Sequence, residues 1–261
     1  MPEGDTVWMA AKQLHEALAG RVLTRTDFRV PRLATTSLVG QTVLEVVPRG
    51  KHMLTRLDSG LTLHTHFKMD GTWRVYRPGA RWAPPEHQIR LVLANDEAVA
   101  VGYRMPVVEL VRDESAVVGH LGPDVLDDAF DADEAVRRLA AQPEREVGIA
   151  LQDQRNLAGV GNMYRCEALF LEGLTPWETV GTVDLPRLVA RSVALMRANR
   201  GRWQQSTTGS LRRHEQYWVF ERTGQPCRRC GTRVRSAMQG EPAQERFTYW
   251  CPLCQVGPAP S

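Results

Sequence analysis

CRRCGTRVRSAMQGEPAQERFTYWCPLC, residues 227–254, decides more about this chain than any other stretch. It opens on Cys227-x-x-Cys230 and closes on Cys251-x-x-Cys254, with twenty residues between the pairs. A Cys-x-x-Cys knuckle turns two thiolates toward one ion, and two knuckles complete a closed tetrahedral set for Zn2+. Gly231 and Pro252 suit tight knuckle turns. Four thiolates leave no open coordination position, so the predicted zinc is structural and not catalytic. Paired redox thiols or disulfides are the alternative. The acidic start Pro2-Glu3-Gly4-Asp5 lacks the basic-then-apolar order of a secretion signal, which predicts a cytoplasmic or nucleoid-associated chain. Structural disulfides are rare there. The fifth cysteine, Cys166, sits in a helical stretch and reads as a small core residue.

The segment between the knuckles reads as a β-hairpin carrying Arg233, Arg235, Arg246, Tyr249 and Trp250. Upstream the basic character continues. Ten arginines against two acids lie between Arg197 and Arg235, whereas eleven acids against four arginines lie between Glu109 and Glu146. A basic stretch beside an acidic one suits a chain that offers one face to a polyanion, although the net charge is only +3. A solvated arginine-rich surface is the plainer alternative. Of 33 basic residues only Lys12, Lys51 and Lys68 are lysines. A chain that prefers arginine and still keeps a lysine has a use for an amine, which titrates where a guanidinium does not.

Farther out the pattern divides into regions. Residues 5–19 predict a helix, with Asp5 or Thr6 as cap, an apolar stripe at Val7, Trp8, Ala11, Leu14 and Leu18, and Gly20 as stop. From Arg21 to about Val111, short β-type runs follow at 42–47, 61–66, 73–76, 89–93 and 98–101, as in a sandwich or barrel. Asp58-Ser59-Gly60 predicts a hairpin turn. The acidic stretch 121–131 reads as a linker into a helical half, with helices near 132–141, 144–154, 163–172 and 184–199. The expected class is therefore α+β, divided as 1–117, 118–219 and 220–261. The apolar runs fall far short of a membrane span.

Pro2 follows the initiator methionine, whose removal leaves a secondary amine with a pKa near ~8. Such an amine attacks an aldehyde-like carbon, and Glu3 beside it can pass protons. Alone, that start means little. Pro2-Glu3-Gly4, Pro48-Arg49-Gly50-Lys51-His52, Leu121-Gly122-Pro123-Asp124, Leu157-Ala158-Gly159-Val160-Gly161-Asn162 and the four-cysteine module occur in this order. Together they resemble the formamidopyrimidine-DNA glycosylase/endonuclease VIII family over essentially the whole chain.

The resemblance implies an N-terminal β-sandwich with a leading helix, then a helix-two-turn-helix domain and a zinc ribbon. It implies that Pro2 attacks C1′ of a damaged nucleotide while Glu3 protonates the sugar and assists ring opening. Lys51 would be the hairpin lysine that reaches the site and the phosphate beside the lesion. Gly161 and Asn162 would meet a phosphate at a helix start. Arg246 would grip another phosphate and serve δ-elimination. In the loop His66-Phe67-Lys68-Met69-Asp70-Gly71, Met69 is the candidate filler of the space left by the flipped base, with Lys68 beside it. Ordinary core packing is its alternative. His120 is a further candidate DNA contact, whereas His64 and His66 read as alternate strand residues.

The Gly4-Asp5-Thr6 start resembles the actinobacterial endonuclease VIII branch, and no Arg-Arg-Phe-Gly element precedes the helical half; this chain has Gly102-Tyr103-Arg104-Met105-Pro106 there. The branch implies excision of oxidised pyrimidines followed by β,δ-elimination. The alternatives are an 8-oxoguanine or formamidopyrimidine glycosylase, an abasic-site lyase, or a protein that only binds damage. The expected partner is double-stranded DNA with a damaged base or abasic site, bound by a monomer whose affinity falls as salt rises. The one expected cofactor is a structural zinc at Cys227, Cys230, Cys251 and Cys254.

Overall fold

An apolar residue every third or fourth position makes the first helix. α1 (Gly4–Leu18) buries Val7, Ala11, Leu14 and Leu18. It starts earlier than the sequence suggests. Glu3 is the residue before the first turn and gives no side-chain cap, so Asp5 and Thr6 lie inside the helix and do not cap it. Asp5 is instead buried in the first turn, where the helix dipole favours a carboxylate. The backbone N–H of Val46 donates to Nδ1 of His15 at 3.2 Å, which ties the helix to the strands behind it.

The computed structural model describes residues 2–82, 85–242 and 245–260. They form two compact units, Met1–His120 and Leu121–Ser261. The first contains β1 (Arg25–Phe28), β2 (Val43–Arg49), β3 (His52–Leu57), β4 (Thr62–His66), β5 (Thr72–Tyr76), β6 (Ile89–Ala94), β7 (Val99–Tyr103), β8 (Val107–Val111) and the short helix α2 (Ser115–Val118). Two four-stranded antiparallel sheets result, in the orders β1-β6-β7-β5 and β2-β3-β4-β8. They make the expected sandwich. Its core joins α1 to Leu23, Phe28, Val46, Met53, Leu63, Trp73, Leu91, Leu93 and Ala100. The predicted turn at Asp58-Ser59-Gly60 is present, with Gly60 at φ +74° between β3 and β4.

The second unit holds α3 (Ala132–Ala140), α4 (Val147–Gln152), α5 (Asn162–Glu172), α6 (Leu185–Asn199), β9 (Arg235–Gln239) and β10 (Arg246–Trp250). Asp131 and Asp184 cap α3 and α6 by accepting backbone N–H bonds from Glu134 and Arg187. The cysteine hairpin shares a core with the helices: Cys166 and Phe170 of α5 pack with Val219, Cys227, Val234 and Cys251. Cys166 is thus the core residue expected.

Residues 121–131 lead into the helical half, as the sequence suggests, and they do so as a packed strap. Leu121, Val125 and Leu126 are buried, and the strap is bonded to the turn before α5. Gly122 N–H donates to Gln154 O at 2.8 Å and Ala158 N–H to Pro123 O at 2.9 Å. A Cβ on Gly122 would stand 2.5 and 2.7 Å from the carbonyl oxygens of Arg155 and Asn156. Backbone cannot yield as a side-chain tip does. Gly122→Ala is expected to cost about 1–3 kcal/mol, read as a lower urea midpoint. An unchanged midpoint would contradict this packing.

Candidate functional site

Two neighbouring features define the chain start. Pro2 is half-buried, and Glu3 beside it is 1% exposed although it is charged in water. Glu3 occupies the N-cap position of α1, with its carbonyl accepting from Val7 N–H at 3.1 Å. A carboxylate this deeply placed needs partners to be tolerated, and the helix N-terminus supplies favourable dipoles.

Lys51 lies in the tight connection of β2 and β3, where Arg49 pairs with His52 and Gly50 adopts φ +58°. Only a glycine turns there without strain. Behind the turn stands a histidine cluster that the sequence reading undervalued. His52 stacks on His64 at 5.0 Å between ring centroids, meets His66 edge-on at 4.7 Å and His120 edge-on at 6.0 Å. His52 Nδ1 lies 2.8 Å from His64 Nε2, and His64 Nδ1 lies 2.7 Å from a carboxylate oxygen of Glu109. The result is a carboxylate–imidazole–imidazole chain across β8, β4 and β3. The alternation of His64 and His66 is that of one strand face, as expected, and that face gathers His52 and Glu109 as well. The available signal was the cross-strand pairing of His52 with His66, which a single sequence does not display.

Two rings of the cluster, His52 and His66, are held neutral. Burial, then the rings of His66, His64 and His120 and the Lys68 amine, pushes His52 down to about 3. Burial, then Lys68, Lys51 and His64, pushes His66 down to about 3 as well. Lys68 N–H donates to His66 Nδ1 at 2.9 Å, so that nitrogen holds a lone pair and the proton sits on Nε2. Lys51, Lys68 and His120 therefore converge on two neutral imidazoles. Lys68 itself holds φ +48°, a conformation rare outside glycine, asparagine and aspartate. Met69 next to it is 55% exposed, which removes core packing as its role.

In the second unit, Gly159 at φ +99° and extended Gly161 lead into α5, which starts at Asn162. The Asn162 amide is committed inward. Its Nδ2–H donates to Phe247 O at 2.8 Å, and its Oδ1 accepts from the buried guanidinium of Arg165. Arg165 also donates to Thr248 Oγ1 and, at 3.3 Å, to Gly148 O. The helix start and β10 are thus bonded to each other. Arg246 is exposed at the first position of β10. Arg165 was not foreseen; a lone arginine in an apolar helix was its only signal.

The four cysteines gather with their sulfurs all within 4.8 Å of one another. Cys227 and Cys254 sulfurs are 3.9 Å apart, and those of Cys230 and Cys251 are 3.5 Å apart. Among the described residues no other group of three or more histidines, cysteines or acids converges like this. Sulfurs at such spacing on two knuckles fit one tetrahedral metal ion.

Comparison with known proteins accords with this layout. The formamidopyrimidine-DNA glycosylase N-terminal domain matches residues 1–105, and the formamidopyrimidine-DNA glycosylase H2TH domain matches residues 121–197. The "Probable endonuclease 8 2" of Streptomyces coelicolor is 55% identical over 100% of this chain and 96% of its own length. The "DNA-(apurinic or apyrimidinic site) lyase Nei2" of Mycolicibacterium smegmatis is 44% identical over 98% and 99% of the two chains. Among solved structures, the Lactococcus lactis formamidopyrimidine-DNA glycosylase bound to abasic-site DNA superposes with a TM-score of 0.82 over 98% of this chain and all of that one. At 21% identity that likeness speaks to the fold.

The imidazole resonances of His52 and His66 are expected to stay in the neutral form from pH 8 to 5, whereas a midpoint near the ordinary 6.5 would contradict the burial. The unfolded chain takes up those protons below about 6.5 and the folded chain does not, so stability falls as pH drops from 6.5 toward 3. Native mass spectrometry is expected to find one metal ion per chain, lost in Cys251→Ser together with thermal stability of the second unit.

Proposed function

The chain belongs to the formamidopyrimidine-DNA glycosylase family, and from that membership we propose a base-excision-repair glycosylase and abasic-site lyase that acts on oxidised pyrimidines in DNA. The observation that carries this reading is the 55% identity, over the whole chain, to a probable endonuclease 8. The buried Glu3 directly behind Pro2 supports it, because a secondary amine next to a carboxylic acid suits imine chemistry.

The damaged nucleotide leaves the base stack to be reached. The Pro2 nitrogen, freed by loss of Met1, attacks C1′, and the C1′–N bond to the base breaks with a proton delivered to the departing base. Glu3 protonates the ring oxygen as the sugar opens, and the nitrogen lone pair forms an iminium at C1′. That positive centre acidifies the C2′ proton; its removal expels the 3′ phosphate. A second elimination expels the 5′ phosphate and leaves a one-nucleotide gap bounded by phosphates.

Lys51 and Lys68 serve as phosphate contacts held over neutral His52 and His66, and Met69 fills the vacated stack with His120 at its edge. Gly161 and Asn162 offer backbone N–H to a phosphate, and Arg246 holds a neighbouring one and assists the second elimination. Residues 1–117 are the catalytic part, 118–219 the helical DNA-binding part and 220–261 the metal-holding part. Zn2+ is the proposed ion, since four thiolates and a closed site are its structural signature. When bound it supplies rigidity and no reacting group. No described helix is long and apolar enough to cross a membrane, which fits the cytoplasmic, nucleoid-associated monomer proposed.

Duplexes holding 5,6-dihydrouracil, an abasic site or 8-oxoguanine test the assignment. Cleavage of the first two, with phosphate on both ends of the gap, is expected, along with a loss of about a thousandfold in Pro2→Gly. Cleavage of the abasic duplex alone would reduce the enzyme to a lyase. Preference for 8-oxoguanine would move it to the other branch.

A further inference from the structure

From Leu185 to His214 the chain carries seven arginines and no acidic residue. Near the middle of that stretch Trp203 is 83% exposed. An indole so placed contributes nothing to a core, and it stands apart from Trp218, which stacks on Phe170 at 5.6 Å and donates to Thr207 O.

The loop that presents Trp203 is pinned at its base. Asn199, buried at the end of α6, donates to Ser206 O at 2.9 Å and accepts from Ser206 N–H at 2.8 Å. Ser206, also buried, donates its hydroxyl to Ser210 O at 2.7 Å. Residues 200–205 are therefore a six-residue excursion closed by a two-bond amide clamp. Gly201 makes the turn at φ +81°. Arg200 is braced on Asp128 at 3.0 Å. Arg202, Arg212 and Arg213 are exposed and have no carboxylate at ion-pair distance among the described residues. A fixed base lowers the ordering cost of any contact at the tip.

We propose that the 200–205 loop is a DNA-stacking element in which Trp203 lies on the face of an unpaired base while Arg202 takes an adjoining phosphate. Arg187 and Arg191 are taken up by Glu172 and Arg200 by Asp128, so the exposed Arg202, Arg212 and Arg213 are what favours a polyanion as the occupant. An indole serves any base, because every base has a π face. The inference rests on the DNA-repair reading and extends it to a contact outside the reacting centre.

The full chain, its Trp203→Ala and its Trp203→Phe variants are titrated with a single-stranded oligonucleotide and with a duplex holding an abasic-site analogue. Trp203→Ala is expected to weaken single-strand binding about tenfold, with Trp203→Phe keeping most of the affinity. Tryptophan fluorescence of the wild type is expected to be quenched on binding, and more of that quenching lost in Trp203→Phe than one residue in seven accounts for. Unchanged affinity and quenching in both variants would overturn the proposal and leave Trp203 to a protein partner. Incision of the abasic duplex by the wild type is measured in parallel. Intact incision with unchanged binding by Trp203→Ala sinks this inference alone, whereas absent incision sinks the repair reading.

Discussion

Four sulfurs held within 4.8 Å of one another are the constraint on which the second unit depends. The cysteine segment is too short to fold around a core of its own, and it gains order from packing on α5. β9 and β10 pair along their whole length beside it. Thr248 and the carbonyl of Phe247 hold Arg165 and Asn162, so the start of α5 is tied to the strand that leads into the cysteine cluster. The same bonds explain why Asn162 is buried: its amide builds the site, and the helix backbone presents it.

The first unit solves a different problem. Lys68 acts on His52, and Lys68 and Lys51 act on His66, without those imidazoles adding charge. Burial and the lysines themselves keep His52 and His66 neutral. Glu109 anchors His64, which in turn fixes the plane of His52. Neutral rings on fixed tautomers can donate or accept at one defined nitrogen, which a protonated cluster cannot.

What was legible in the sequence follows from what is local. The α1 stripe, the Asp58-Ser59-Gly60 turn, the cysteine spacing and the helices α3, α5 and α6 each rest on residues within a few positions of one another. β1, β3 and β8 lie within the stretch read as β but are its least legible strands, because their polar residues hide the alternation. Arg25 and Asp27 break up the first, and Glu109 interrupts the last to hold His64. The histidine cluster was missed for a related reason: its members come from β3, β4 and the end of the unit, and only register brings them together. The cap of α1 was misplaced because Asp5 is a common capping residue type but lies buried inside the first turn. Met69 was ambiguous by type, and exposure resolved it.

The central claim is that the chain reacts through the nitrogen of residue 2 and not through a side-chain amine. Lysines are so few that a direct assignment is possible. The most direct measurement is tandem mass spectrometry of the borohydride-reduced adduct formed with an abasic duplex. The account predicts the sugar remnant on the N-terminal peptide, at Pro2. A remnant on Lys51 or Lys68, or no adduct at all, would contradict it.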